Sequence, residues 1–160
     1  MESKNSFDVK VIIEQLKSFC ALQDKCQWDI KQKMKAWNLP KTTQNYILSL
    51  LVKEKYLDEE RFSKSFCRGK FKIKKWGRIK ITNELKKKNI SELCILKGLQ
   101  EISEEEYSKE LEKQYQKKYS STNEKNYLIK RKKIATYLIG KGYENNLVWN
   151  KIRELSKKIS

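Results

Sequence analysis

The chain has 160 residues, 38% hydrophobic and 36% charged, with 37 Lys/Arg against 20 Asp/Glu, no histidine and a formal net charge of +17. That size and polarity exclude a thick multi-domain globule and leave one ordinary domain, or a few very small units sharing a continuous core. One proline and five glycines leave little for hairpins; no strand-length alternation stands out, and abundant Lys, Glu, Leu and Ile point to an all-α fold.

The first helix is predicted over Asp8 to Cys20, with Val11, Ile12, Leu16 and Phe19 inward. A second starts near Asp24, carries Trp28, Met34 and Trp37, and stops at Asn38-Leu39-Pro40, since proline lacks a donor and disfavours helix at the residue before it. The third runs from about Lys41 to Lys53, with Tyr46, Ile47, Leu50 and Leu51 inward. Asp58 is a good N-cap for the next helix, and Glu59 and Glu60 suit its dipole.

That helix opens the most basic stretch of the chain. Residues 61–88 hold twelve Lys/Arg against one acid, Glu84, a local net charge of +11. At 100° per residue, Phe62, Phe66, Gly69, Ile73 and Trp76 share one face, while Arg61, Lys64, Arg68, Lys72 and Lys75 fall within a separate sector of about 80°. A cationic stripe apart from the apolar one needs an anionic partner: nucleic acid, an acidic protein surface or an anionic membrane.

After Trp76-Gly77 a helix is predicted to about Lys88, and Ser91 caps the next, to Gln100. Ser103-Glu104-Glu105-Glu106 has capping-box spacing and opens a helix to about Tyr119. Ser121-Thr122-Asn123-Glu124 has the same spacing and is expected to open another, ending at Gly140-Lys141-Gly142, where Gly142 suits a left-handed cap. The last helix covers about Asn146 to Lys158, with Leu147, Trp149, Ile152 and Leu155.

A repeat underlies this order. Met34 to Leu39, Leu85 to Ile90 and Leu138 to Tyr143 each read as an apolar residue, a polar helix end, Asn or Gly, then an apolar residue, at spacings of 51 and 53. Short helical units cannot hide their own apolar stripes, so neighbours must stack into an elongated array. The expected partition is an N-terminal helix at 1–22, then three-helix repeats at 23–76, 77–120 and 121–160, the last with only two helices visible.

With the repeat in place, the chain resembles the RecX family of bacterial recombination regulators from roughly residue 24 onward. Tyr56-Leu57-Asp58-Glu59-Glu60-Arg61-Phe62 is similar to that family's Y/F-L-D-D-x-R-F, and Gly77, Ile81, Glu84 and Leu85 are similar to its G-P-x-R-I-x-x-E-L. Lys88-Asn89-Ile90 stands where the family has a K-G-I/V turn; Arg78 replaces the usual proline, and Asn89 replaces glycine. The resemblance implies three tandem three-helix units. It also implies binding to the RecA filament on single-stranded DNA, restraining filament growth, strand exchange and RecA-dependent co-protease action.

The candidate RecA- or DNA-binding residues are Lys64, Arg68, Lys72, Lys74, Lys75, Arg78 and Lys80, with Lys130, Arg131 and Lys133 of the Lys130-Arg131-Lys132-Lys133 cluster as a second jaw or an ordinary solvated face. Arg61 ranks lower, because it has acids beside it. Six neutralised phosphates would cost roughly a thousandfold or more in affinity between about 50 and 200 mM salt. Phe71 is placed either to stack on a base or to pack against a neighbouring unit, with packing favoured, and Trp76 reads as core.

Glu101, Glu104, Glu105, Glu106, Glu110 and Glu112 open the question of a metal-dependent nuclease, but capping and dipole effects account for the consecutive ones, and no phosphate loop is present. No enzyme, metal or cofactor is expected. Cys20, Cys26, Cys67 and Cys94 lack CxxC spacing and read as reduced apolar residues. No leader or long apolar run is seen, so a cytoplasmic monomer with no membrane role is expected. A general nucleic-acid-binding helical protein with no obligate RecA partner is the alternative, and a basic membrane-surface protein is the weakest reading.

Overall fold

A computed structural model describes residues 8–157, and among these it is all helix and turn. The helices are α1 (Val9–Leu22), α2 (Gln27–Met34, tightening into a 3₁₀ turn at Lys35–Trp37), α3 (Lys41–Lys53), α4 (Glu59–Lys72) and α5 (Arg78–Lys87). They continue as α6 (Glu92–Leu99), α7 (Glu104–Ser121), α8 (Tyr127–Gly140) and α9 (Asn145–Lys157). Helix α2 packs on α3, α4 on α5 and α6, and α7 on α8 and α9. The array is therefore three units, with α1 laid against the first. One apolar core lies under α1–α3, and a second runs unbroken from α4 to α9. By this packing α4 opens the second unit, an offset from the 23–76, 77–120, 121–160 partition, in which it closes the first.

Local chemistry sets most helix starts. Asp58, Ser91 and Ser103 accept hydrogen bonds from the amides of Arg61, Cys94 and Glu106, each satisfying a donor that the first turn leaves open. The three superposed turns all pass through the left-handed region, at Asn38 (φ 49°), Asn89 (φ 60°) and Gly142 (φ 101°). Two close identically: the Ile90 amide donates to the Leu85 carbonyl and the Tyr143 amide to that of Leu138, tying off the carbonyls at the ends of α5 and α8.

The expected capping box at Ser121 does not form. Ser121 is the last residue of α7, and its hydroxyl and that of Thr122 both donate back to the Lys118 carbonyl. Asn126 caps α8 instead, accepting from the Ile129 amide. Helix α2 likewise begins at Gln27 rather than Asp24, with Asp29 reaching back to the Cys26 amide.

Three inward assignments also change. Val11 and Tyr46 are exposed, while Ile13 and Leu48 fill the first core. On α4, Ile73 is 77% exposed, and the buried wedge is Phe62, Ser63, Cys67 and Phe71. The cause is Gly98 on α6: a Cβ there would lie 2.3 Å from Ser63 Oγ and 2.8 Å from Cys67 Sγ. The two helices meet through small residues, which turns α4 toward them and away from Ile73.

Candidate functional site

Turning α4 this way leaves its cationic stripe on the outer side, opposite the wedge. Arg68 and Lys72 are exposed there, Lys74 follows at the helix end, and Lys64 is half-buried. Lys64, Lys72 and Lys74 make no ion pair among the described residues. Arg68 lies 3.3 Å from Glu101, and Lys75, at φ 60°, lies 3.7 Å from Glu110. Arg61 is drawn to Asp24 at 3.1 Å and to the Lys55 and Tyr56 carbonyls, so it ties α4 to the α1–α2 turn.

Arg78 belongs elsewhere. Its guanidinium donates to Glu144 at 2.8 Å and to Glu104 at 2.7 Å, and lies over the Tyr107 ring with Cζ 3.8 Å from its centroid. The Tyr107 hydroxyl accepts from the Arg78 amide and donates to Glu144. Burial pushes the Tyr107 phenol up, and its hydrogen bond to Glu144 adds to this. With its charge spent on two carboxylates and a ring, Arg78 fastens α5 to α7 and α9 and offers no free face to phosphate.

The joint is tight. The Gly77 amide donates to the Lys141 carbonyl at 2.8 Å and that of Ile79 to Gly142 at 2.9 Å, seating α5 on the α8–α9 turn. Phe71 lies inside it, 5% exposed, its ring stacked 5.9 Å from Tyr107, which sits 5.3 Å from Tyr143. Phe71 is thus an inter-unit packing residue, and its ring is closed to a base.

Sequence reasoning passed over Lys70, half-buried between two aromatic rings. Its ammonium lies 5.4 Å from the Phe66 centroid and 5.0 Å from that of Trp76, and Lys80 lies 4.6 Å from Trp76 on the other flank. The i,i+4 spacing of Phe66 and Lys70 was the available signal. Trp76, read as core, is half-buried against the core and carries these cations on its ring.

The second basic cluster is spread around α8. Lys130 lies 3.7 Å over Tyr119, Arg131 is half-buried near Tyr127, Lys132 is exposed, and Lys133 pairs with Glu124 at 3.1 Å. It shares no stripe with α4.

The thiols are free and Cys20, Cys26 and Cys67 are buried. Burial pushes Cys26 up to about 12 and Cys67 up to about 11. Among the described residues, no group of three or more Cys, Asp or Glu side chains is placed to hold a metal ion, and no helix is long and apolar enough to cross a membrane.

Tandem three-helix units, fastened by ion pairs and presenting a basic outer face, define a helical-repeat protein. Models of the second and third three-helix domains of RecX match residues 58–99 and 104–152. The chain belongs to the RecX family. Its fold is similar to that of RecX from Lactobacillus salivarius, at a TM-score of 0.81 and 16% identity over 92% of this chain and 96% of that one. It is also similar to a second solved chain, the regulatory protein RecX, at a TM-score of 0.82 and 20% identity over 91% and 73%. No curated protein matches the sequence.

Proposed function

We propose that this RecX-family protein binds the RecA filament on single-stranded DNA and restrains its growth, its strand exchange and its co-protease action. The observation that carries this reading is the outer face of α4 and the turn after it, where Lys64, Lys72 and Lys74 stand unpaired beside a half-exposed Arg68, in a chain of this family. A filament groove offers phosphate and acidic protein side by side, and unpaired ammonium groups on a rigid helix suit both. Restraint would be steric and electrostatic: a module lodged in the groove blocks monomer addition and the entry of a second DNA. Lys80 contributes from the flank, with Lys130, Arg131 and Lys133 as weaker support, since a ring or an acid already engages each. Arg78 is left out of the contact.

The test is anisotropy of the labelled protein against single-stranded DNA, bare and coated with RecA and a slowly hydrolysed ATP analogue, at 150 mM salt. Tighter binding to the coated strand, lost in an Arg68→Glu/Lys72→Glu/Lys74→Glu variant of unchanged helicity, is the expected result. Equal or weaker binding to the coated strand overturns the reading in favour of a general nucleic-acid-binding protein.

A further inference from the structure

We infer that the cleft between α4 and the α1–α2 turn is a site for one unpaired nucleobase of single-stranded DNA. This deepens the function proposed above, and rests on it in taking the strand of the filament as the anion met.

The floor is aromatic. Phe66 and Phe62 both line the cleft, their ring centroids 5.6 Å apart at a tilt of 37°. A ring braced by its neighbour loses little freedom when a base covers it. One turn on, Gly69 also lines the cleft, and a Cβ built there meets nothing within 4 Å. The space beside the ring is therefore unfilled by neighbouring atoms.

The far wall is polar in the way a base edge requires. Gln23 and Asp24 across the cleft, with Ser65 on α4 beside the ring, supply amide, carboxylate and hydroxyl groups, donors and acceptors together, which suit ring nitrogens and exocyclic amines or carbonyls. A phosphate would use the donors alone. Asp24 is the one acid in the lining, and Arg61 at 3.1 Å offsets its charge.

The rim is cationic. Lys74 lines the cleft, exposed and without an ion pair among the described residues. Lys70 sits over Phe66 and reaches Trp76, so it is poised where the backbone of a base stacked on Phe66 would pass. A base in a duplex has both faces stacked and its edge paired, so this geometry selects an unpaired strand.

The test needs no recombinase: anisotropy of a fluorescein-labelled oligothymidylate and an abasic oligomer of equal length and charge, each on the full chain. Stacking predicts tighter binding of the thymidylate by about fivefold or more, the lower end for one base on one ring. Phe66→Leu keeps apolar volume without a π face and should erase that preference while leaving abasic binding unchanged, with helicity by circular dichroism as the check that the fold is kept. Polyglutamate should displace the thymidylate poorly. Equal affinity for the two oligomers, or a base preference surviving in Phe66→Leu, overturns the inference, as does displacement by polyglutamate at equal charge. Filament preference without base dependence would leave the proposed function standing and remove only this site; base dependence without filament preference would do the reverse.

Discussion

Replacing Arg78 with alanine tests whether this residue fastens units or meets nucleic acid. The Glu144 arm is a charge-assisted hydrogen bond between groups 20% and 25% exposed, worth about 2 kcal/mol when one partner is removed. The guanidinium over Tyr107 at 3.8 Å adds about 1 kcal/mol. Glu104 is 86% exposed, so its arm adds at most about 0.5 kcal/mol after solvent screening. The sum is about 3 kcal/mol, or a fall of roughly 6–12 °C in Tm for a domain of this size. Urea unfolding followed by circular dichroism measures it, and cycles with Glu144→Gln and Glu104→Gln divide it, with coupling concentrated on Glu144. Below the transition, the slope of log affinity against log salt for single-stranded DNA should match that of the parent protein. A loss under about 1 kcal/mol, stronger coupling to Glu104, or a flattened salt slope would each refute the assignment.

Other expectations follow from the same geometry. Lys72→Gln/Lys74→Gln should leave stability within about 0.5 kcal/mol and flatten the single-strand salt slope by about 1.4, measured by anisotropy from about 50 to 200 mM salt. Gly77→Ala puts a Cβ 2.3 Å from the backbone of Gly142 and should cost more than about 2 kcal/mol in urea unfolding. Gly140→Ala meets nothing within 4 Å at the end of α8 and should be neutral or stabilising by up to about 1 kcal/mol. Burial pulls the Asp29 carboxyl up, but the Lys88 ammonium at 2.7 Å and the Cys26 amide outweigh it and hold it below the usual range. A depressed carboxyl stabilises above its unfolded value, about pH 4, and that contribution is lost as pH falls through the folded one. Asp29→Asn should therefore show a shallower loss of urea stability than the parent on acidification over that range.

What could be read in advance was local. Asp58, Ser91 and Ser103 cap because a side-chain oxygen and an amide two or three residues on suffice, and the left-handed turns need only Asn or Gly at the right place. What escaped was decided at a distance. Arg78 looked like one more cation because its acids lie 26 and 66 residues away. The wedge of α4 was misplaced because Ser63 is polar and Cys67 is small, and the burial of both follows from a glycine on another helix. Phe71 was open to a base-stacking reading for the same reason, since its partners Tyr107 and Tyr143 lie on later units. Ser121 carried the spacing of a cap, but α7 continues through it, and the cap falls to Asn126.

The distribution of acids gives the excess of positive charge its meaning. Five carboxylates sit at joints: Asp24 and Asp29 hold Arg61 and Lys88 between the first and second units, and Glu104, Glu110 and Glu144 hold Arg78 and Lys75 between the second and third. On the outer side of α4, Lys64 and Lys72 are left without such a partner, as is Lys74 just beyond the helix end. Salt separates the two groups, because an exposed ammonium facing phosphate is screened and its counterions return, whereas pairs such as Lys88 with Asp29, 23% and 14% exposed, are shielded from solvent. Raising salt from about 50 to 200 mM should therefore strip the strand from the protein while the array stays assembled. The internal pairs keep the units of a chain of +17 joined while the lysines on the outer side of α4 stay unpaired.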